Sequence, residues 1–256
     1  MINELVLIGI WKKNSISERL WKYFEKVTIN RSNKVLFISN TMKKDFLNRS
    51  GLDDNKDRYI VYYNKVDFNH FEPINKAHKQ FTFLYSGSLG HWNNLYTYLS
   101  FFKRICNIHN DSVLYIVTST RPSKYTGVLN SSEFMDIRNK IKLFTNVNYE
   151  DLPGIYSECN YGLQLMNKSD SRLGVKFVEY IATGLIPIVN ENVKGAVEFI
   201  KIYSTGLVIK NDFDEIDEAF IDSLLDIRAS FPDNISYIRQ LIDANSSASE
   251  LSKIFK

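Results

Sequence analysis

Only two cysteines occur in the 256 residues, Cys106 and Cys159, and no Cys-x-x-Cys pair. A disulfide framework and a zinc site are therefore not expected, and a reducing compartment fits. Nor is there a run near the ~18 apolar residues that a membrane-spanning helix needs. The best N-terminal run, Leu5 to Trp11, lies between Glu4 and the pair Lys12 and Lys13. That reverses the charge order of a secretory leader, so a cytoplasmic location is expected. Neither charge sign dominates: 32 basic and 29 acidic residues leave a net +3. Nucleic acid is not expected as a partner at that balance, whereas an anionic membrane surface is tolerated. The histidines His70, His78, His91 and His109 are scattered, so no metal-ligand set is read from them.

Hydrophobic residues make up 44% and charged residues 24%, as in an ordinary globular protein. The first ~70 residues read as helix–strand–helix–strand. Ser15 and Glu18 have the spacing of a capping box, and Ile16, Leu20, Phe24 and Val27 follow at helical spacing. Val35–Ile38 and Tyr59–Tyr63 read as strands. Between them, Thr41 is placed to cap a helix ending at Gly51, and residues 64–73 read as a linker.

From Phe81 the pattern alternates. Strand-like runs are Phe81–Tyr85, Val113–Val117, Phe144–Val147, Tyr161–Met166, Ile186–Val189 and Gly206–Ile209. Helical stripes lie between or after them: Leu95, Leu99, Phe102 and Ile105; Phe134, Ile137 and Ile141; Ile216, Phe220, Leu224 and Ile227. Such alternation predicts an α/β fold with a parallel sheet covered by helices. Ligands of such sheets bind at the carboxyl ends of the strands. The candidate loops are therefore Ser86–Asn94, Ser119–Tyr125, Asn148–Leu152, Asn167–Lys176 and Asn190–Ala196.

Two constellations there bear on chemistry. Ser86-Gly-Ser-Leu-Gly90 follows a strand and leads toward a helix expected near Trp92, where small residues let amides approach a phosphate. It is neither Gly-x-Gly-x-x-Gly nor a Walker loop, and by itself it reads as an ordinary βα turn. The second runs from Ser169 to Gly184, with a short helix expected over 174–183 and Gly184 as its left-handed terminator. Lys176, Glu179 and Thr183 share one face of that helix. Lys176 and Glu179 make either a weak i, i+3 ion pair or a pair of ligands for a phosphate and a diol. Spacing does not choose between these readings.

The ordered series does. Phe37-Ile-Ser39, Val61–Asp67 with Phe71-Glu-Pro73, Tyr85–Leu89 with Trp92, Tyr149–Pro153 and Lys176–Pro187 resemble the bacterial group 1 glycosyltransferases of GT-B architecture, especially those of capsule and lipopolysaccharide assembly. The resemblance implies two Rossmann-like domains, the second binding a nucleotide-sugar donor. On that basis, residues 1–70 are the end of an acceptor domain, 71–234 the donor domain and 235–256 a helix returning to the first part. Glu179 matches the glutamate that holds the donor ribose, and Gly87 matches the phosphate-facing glycine. The family's second glutamate is Ser171 here, and an arginine beside the glycine is Ser88. Lys176, Arg172 and Arg121 are the cations placed to substitute, with Gly174 at the start of the short helix.

The implied reaction is retaining sugar transfer from a UDP- or GDP-sugar to a glycan or lipid-linked glycan. It uses no metal and no cofactor beyond the donor, and no catalytic residue is assigned. A peripheral contact with the inner face of the membrane, and a homodimer or partner chain completing the acceptor part, are further expectations. Two alternatives stay open. One is a catalytically degenerate nucleotide-binding subunit serving a partner; the other is a flavodoxin-like regulatory domain.

Overall fold

The computed structural model describes residues 12–72, 81–90 and 92–255. The Leu5–Trp11 run, Pro73, His78 and His91 lie outside them. The chain forms two compact units, residues 1–62 and 63–256.

In the first unit, α1 (Ile16–Arg31) starts as the capping box predicts, with the Ser15 hydroxyl accepting from the Glu18 amide. The reciprocal half of the box is not made: the Glu18 carboxylate accepts from the Asn14 amide, and the Ser15 amide donates to Lys12 O. Strands β1 (Val35–Phe37) and β2 (Tyr59–Val61) pair in parallel, and α2 (Asn40–Ser50) connects them. Ser39, not Thr41, caps α2, because its hydroxyl lies 2.9 Å from the Met42 amide; Gly51 terminates the helix as expected. The core is small: Phe37, Phe46, Leu47 and Tyr59. It takes none of the α1 stripe, so Ile16 is 84% exposed and Leu20 and Phe24 are about half exposed.

The second unit is built on six parallel strands: β3 (Thr82–Ser86), β4 (Val113–Thr118), β5 (Ile141–Thr145), β6 (Tyr161–Gln164), β7 (Ile186–Asn190) and β8 (Leu207–Ile209). Their order is β5-β4-β3-β6-β7-β8. Strands β3, β6 and β7 are buried along their whole length, as expected of a sheet covered on both faces. The chain adds strands on one side of β3, then returns to its other side with β6. The switch point therefore lies between the carboxyl ends of β3 and β6. Helices α3 (Leu95–Ile108), α4 (Thr126–Leu129), α5 (Leu152–Tyr156), α6 (Val175–Ala182), α7 (Lys194–Tyr203), α8 (Glu218–Ile242) and α9 (Ser247–Ile254) complete this unit. Tyr98, Phe101 and Phe102 from α3, Phe177 and Tyr180 from α6, and Leu224 and Ile238 from α8 fill its core.

Several expectations are revised. The first division falls at Tyr62 rather than near residue 70, because Val66, Phe68 and Phe71 are buried in the larger core. No break occurs at 235: α8 runs through that position, and Ile238 and Ile242 are core residues of the second unit. The chain after it pairs with the supposed linker, since the Val66 amide donates to Ile242 O at 2.7 Å and the Ala244 amide to Val66 O at 2.8 Å. Phe134, Ile137 and Ile141 do not form a helical stripe. The first two are buried by short 3-10 turns, and Ile141 opens β5, three residues earlier than the apolar run suggested. Helix α3 begins at Leu95 rather than near Trp92, capped by Asn94, whose side chain accepts from the Tyr96 amide.

Candidate functional site

The loops after β3 and β6 flank the switch point. In the first, the Gly87 amide donates to Val117 O at 2.9 Å and so continues the β3–β4 pairing. The Leu89 amide donates to Thr120 Oγ1 at 2.8 Å, and the Gly90 amide to Asn93 O at 2.8 Å. Ser88 is exposed, and its carbonyl accepts from the Tyr85 hydroxyl at 2.7 Å. Most amides of this loop are thus spent within the protein. The phosphate-facing role read for Gly87 would rest on the loop's small size, because its own N–H is engaged.

Helix α6 follows the loop after β6 and is enclosed on nearly every side, with Phe177 to Ala182 all buried. The expected polar face is therefore not a solvent face. Glu179 is only 4% exposed. Its Oε2 accepts from Lys176 Nζ at 2.7 Å and from the Tyr156 hydroxyl at 3.1 Å. Burial, then the nearby Glu179 charge, hold the Tyr156 phenol well above its ordinary range, so it remains a donor. Thr183, also buried, turns its hydroxyl back to Glu179 O at 2.9 Å. Gly184 has φ +79° and ends the helix, as expected. Its amide donates to Ile181 O, and the Leu185 amide to Tyr180 O. The Tyr180 hydroxyl accepts from the Ser86 amide at 2.9 Å, tying α6 to the end of β3.

Gly174 stands at the start of α6, where no side chain caps the helix. Arg172 is committed elsewhere: it grips the buried Asp170 carboxylate and lies over the Trp92 ring, 5.7 Å from its centroid. Ser171 belongs to backbone that passes close to α7. A Cβ on Gly195 would stand 2.4 Å from Arg172 O and 2.6 Å from Ser171 O, so glycine is what lets α7 approach this loop. Arg121 is not brought to Glu179's hydrogen-bond network. It lines a separate hollow of about 800 Å³ with Lys124, Thr120, Asn94, Asn167 and Gly90.

Among the residues that predict the site poorly from sequence, Tyr156 and Asp170 stand out. Tyr156 lies 23 positions before Glu179, and only the fold joins them. Asp170 sits inside the quoted Ser169–Gly184 block and is separated from Arg172 by one residue. Lys124 follows Arg121 by three residues and lines the same hollow, a placement with no sequence signal of its own. The sequence also contains one Asp-x-Asp triplet, Asp212-Phe213-Asp214, after β8. There Asp214 pairs with Arg104 at 2.8 Å, and Phe213 is buried. Among the described residues, no group of three or more His, Cys, Asp or Glu is arranged to hold a metal ion. No helix among them is long and apolar enough to cross a membrane.

Comparison with solved structures finds the same fold in WaaG, a glycosyltransferase involved in lipopolysaccharide biosynthesis. The TM-score is 0.69 at 16% identity, over 94% of this chain and 68% of that one. Sucrose-phosphate synthase from Thermosynechococcus elongatus superposes with a TM-score of 0.74 at 16% identity, over 98% of this chain and 65% of that one. Anabaena HepE, solved in complex with UDP and glucose, gives 0.67 at 14% identity, over 90% and 66%. At these identities the likeness concerns the fold, and the chain spans about two thirds of the length of these relatives. No curated protein sequence matches the chain. The family of glycosyl transferases group 1 matches residues 66–237, which is most of the second unit and well over half of the sequence. The six-stranded parallel sheet, its switch point and this match agree, and the chain belongs to the group 1 glycosyl transferases.

Proposed function

We propose that the second unit binds a nucleotide-sugar donor, UDP- or GDP-linked, and that the chain serves sugar transfer to a growing surface polysaccharide on the cytoplasmic face of the membrane. The observation that carries this reading is Glu179. It is a buried carboxylate beside the switch point, with Lys176 as a mobile-ended partner and Tyr156 as a fixed one. A carboxylate accepts from two vicinal hydroxyls at once, and such charge-assisted bonds are the strong ones. Lys176 is 34% exposed at its side chain and can turn from Glu179 to a phosphate without unfolding the helix. The uncapped start of α6 favours negative charge in the same place. Transfer in this reading is retaining and needs no metal: basic side chains and helix amides stabilise the departing diphosphate.

Residues 1–62 are read as the end of an acceptor domain, completed by further chain, a second copy or a partner. A second reading has a specific observation in its favour. Arg172 is held by several bonds to Asp170, Lys176 is paired with Glu179 in the ligand-free protein, and the loop after β3 carries Ser88 where the family often has a cation. A catalytically degenerate donor-binding subunit would look like this. A thermal-shift screen of UDP-, GDP- and ADP-sugars tests the first reading. A donor at 100 times its dissociation constant stabilises the protein by about 2.7 kcal/mol. No stabilisation by any of them would refute donor binding, and binding without turnover on a lipid-linked acceptor would favour the degenerate subunit.

A further inference from the structure

The hollow lined by Arg121 is walled by the loops after β3, β4 and β6 and by the start of α3. It lies on the β4 side of the loop after β3, whereas Glu179 belongs to the helix that follows β6. Its walls are tied to one another. The Leu89 amide bonds Thr120 Oγ1 across the first two loops, and the Asn167 amide donates to Trp92 O at 3.1 Å. Its volume of about 800 Å³ lies within the ~300–1,000 Å³ of small-molecule sites.

The polar groups that line it are of one kind. Asn94 Oδ1 accepts from the Tyr96 amide at 3.1 Å, and Asn167 Oδ1 accepts from the Thr97 hydroxyl at 2.7 Å. Each carboxamide thus engages its oxygen on α3 and keeps its NH2 end as the group available to a ligand. Arg121 and Lys124, set three residues apart by the 3-10 turn Pro122–Lys124, are exposed. Neither side chain makes a hydrogen bond or ion pair among the described residues, and none of the described lining residues is acidic. Arg172 and Lys176, by contrast, are both held by carboxylates. Two cations and two amide donors with no carboxylate among them select an anion, through charge-assisted bonds. The hollow is much larger than an inorganic ion, and Leu95 and Val128 give it an apolar wall that suits the C–H face of a sugar ring.

We propose that this hollow is a subsite for an acidic saccharide, a sugar unit carrying a phosphate or a carboxylate. Arg121 and Lys124 hold the anion, and Asn94 and Asn167 donate to it or to ring hydroxyls. The hollow shares the loop after β3 with the switch point, so a sugar bound there lies beside the donor. That place in sugar transfer rests on the donor-binding reading above; the binding of an acidic sugar does not.

The test is calorimetry on the full chain with glucose 6-phosphate, methyl glucuronide, methyl glucoside, inorganic phosphate and UDP. Both acidic sugars should bind more tightly than methyl glucoside and inorganic phosphate, and added salt should weaken them. Arg121→Gln combined with Lys124→Gln should weaken the acidic sugars about tenfold and UDP by much less. Both positions are exposed, and a urea midpoint near that of wild type shows that the variant is folded. Saturating UDP separates two sources of the acid, and either supports the subsite. Glucose 6-phosphate that still binds alongside UDP points to an acceptor. Displacement by UDP, with a preference for UDP-glucuronate over UDP-glucose that the double variant loses, points to the donor's own sugar. Equal binding of acidic and neutral sugars would overturn the proposal. So would inorganic phosphate binding as tightly as glucose 6-phosphate, which would leave a bare anion site only. If the double variant loses UDP as much as glucose 6-phosphate, the hollow belongs to the donor diphosphate; the proposal then fails while donor binding stands. If wild type binds acidic sugars but none of UDP, GDP or ADP, the subsite stands and the donor-binding reading falls.

Discussion

Arg172 reaches back two residues to Asp170, placing Nε 2.9 and 3.0 Å from the two carboxylate oxygens and Nη2 2.8 Å from Oδ2. The carboxylate is almost wholly buried, and the Arg172 amide also donates to it at 3.0 Å. The Asp170 amide donates to Asn192 O at 2.8 Å, so the pair also fixes the loop after β6 against the loop after β7.

Arg172→Ala is therefore expected to cost stability. It leaves a buried carboxylate short of its charged partner, a loss of roughly 1–3 kcal/mol for an unsatisfied buried group. The guanidinium is about one-third exposed, which keeps the cost below that of a fully buried pair. Arg121→Ala, at an exposed position, should stay within about 0.5 kcal/mol of wild type. Urea denaturation of both variants decides the point; equal midpoints would mean that Asp170 is readily rehydrated.

Glu179→Ala is expected to weaken UDP binding by roughly 1.5–3 kcal/mol, the range for hydrogen bonds to charged groups. Glu179→Gln keeps one acceptor for Tyr156 and removes the charge, so its loss should be smaller and its fold better preserved. Unchanged UDP affinity in Glu179→Ala, measured by calorimetry, would reduce Glu179 to an internal ion pair with Lys176.

How much of this was legible beforehand depends on the range of the interaction. Strands β3, β4 and β7 appear in the sequence as continuous apolar runs, because both faces of the sheet are covered. Gly184 was legible as a helix terminator because its signal is local. Glu179 could be picked out only by resemblance, and its burial could not be read at all, since its partner Tyr156 comes from a different crossover. Phe134 and Ile137 misled because three-residue spacing suits a 3-10 turn as well as a helix. The apolar spacing on α1 was real, yet periodicity says only which side chains share a face. It does not say that anything covers them.

Gly195→Ala tests the contact between α7 and the loop after β6. The new methyl group would collide with the Arg172 and Ser171 carbonyls, which are backbone and cannot rotate away. Overpacking of this sort costs about 1–3 kcal/mol. The loop carrying Asp170, Arg172 and Gly174 is expected to shift, so UDP affinity should fall together with stability. A variant as stable as wild type, with unaltered UDP affinity, would show that α7 can slide outward freely.

High pH gives a test that involves no ligand. Burial pushes the Cys106 thiol from its usual 9.0 up to about 11, and the Tyr161 phenol up to about 12. Burial likewise raises Tyr98, Tyr156 and Tyr180 well above their ordinary range. Each group is neutral when protonated, and each holds its proton more tightly folded than unfolded. Above the unfolded-state values the unfolded chain therefore binds fewer protons, and stability falls as pH rises. These contributions are complete below about pH 9, and the part due to Cys106 is lost between about 9 and 11. Tyrosine contributions follow at higher pH. Urea midpoints should therefore hold steady up to about pH 9 and decline beyond it. Cys106→Ala should flatten the first part of that decline, even where loss of packing lowers its stability at neutral pH. A Cys106→Ala curve parallel to wild type throughout would mean that the thiol ionises as easily in the folded protein as in the unfolded chain.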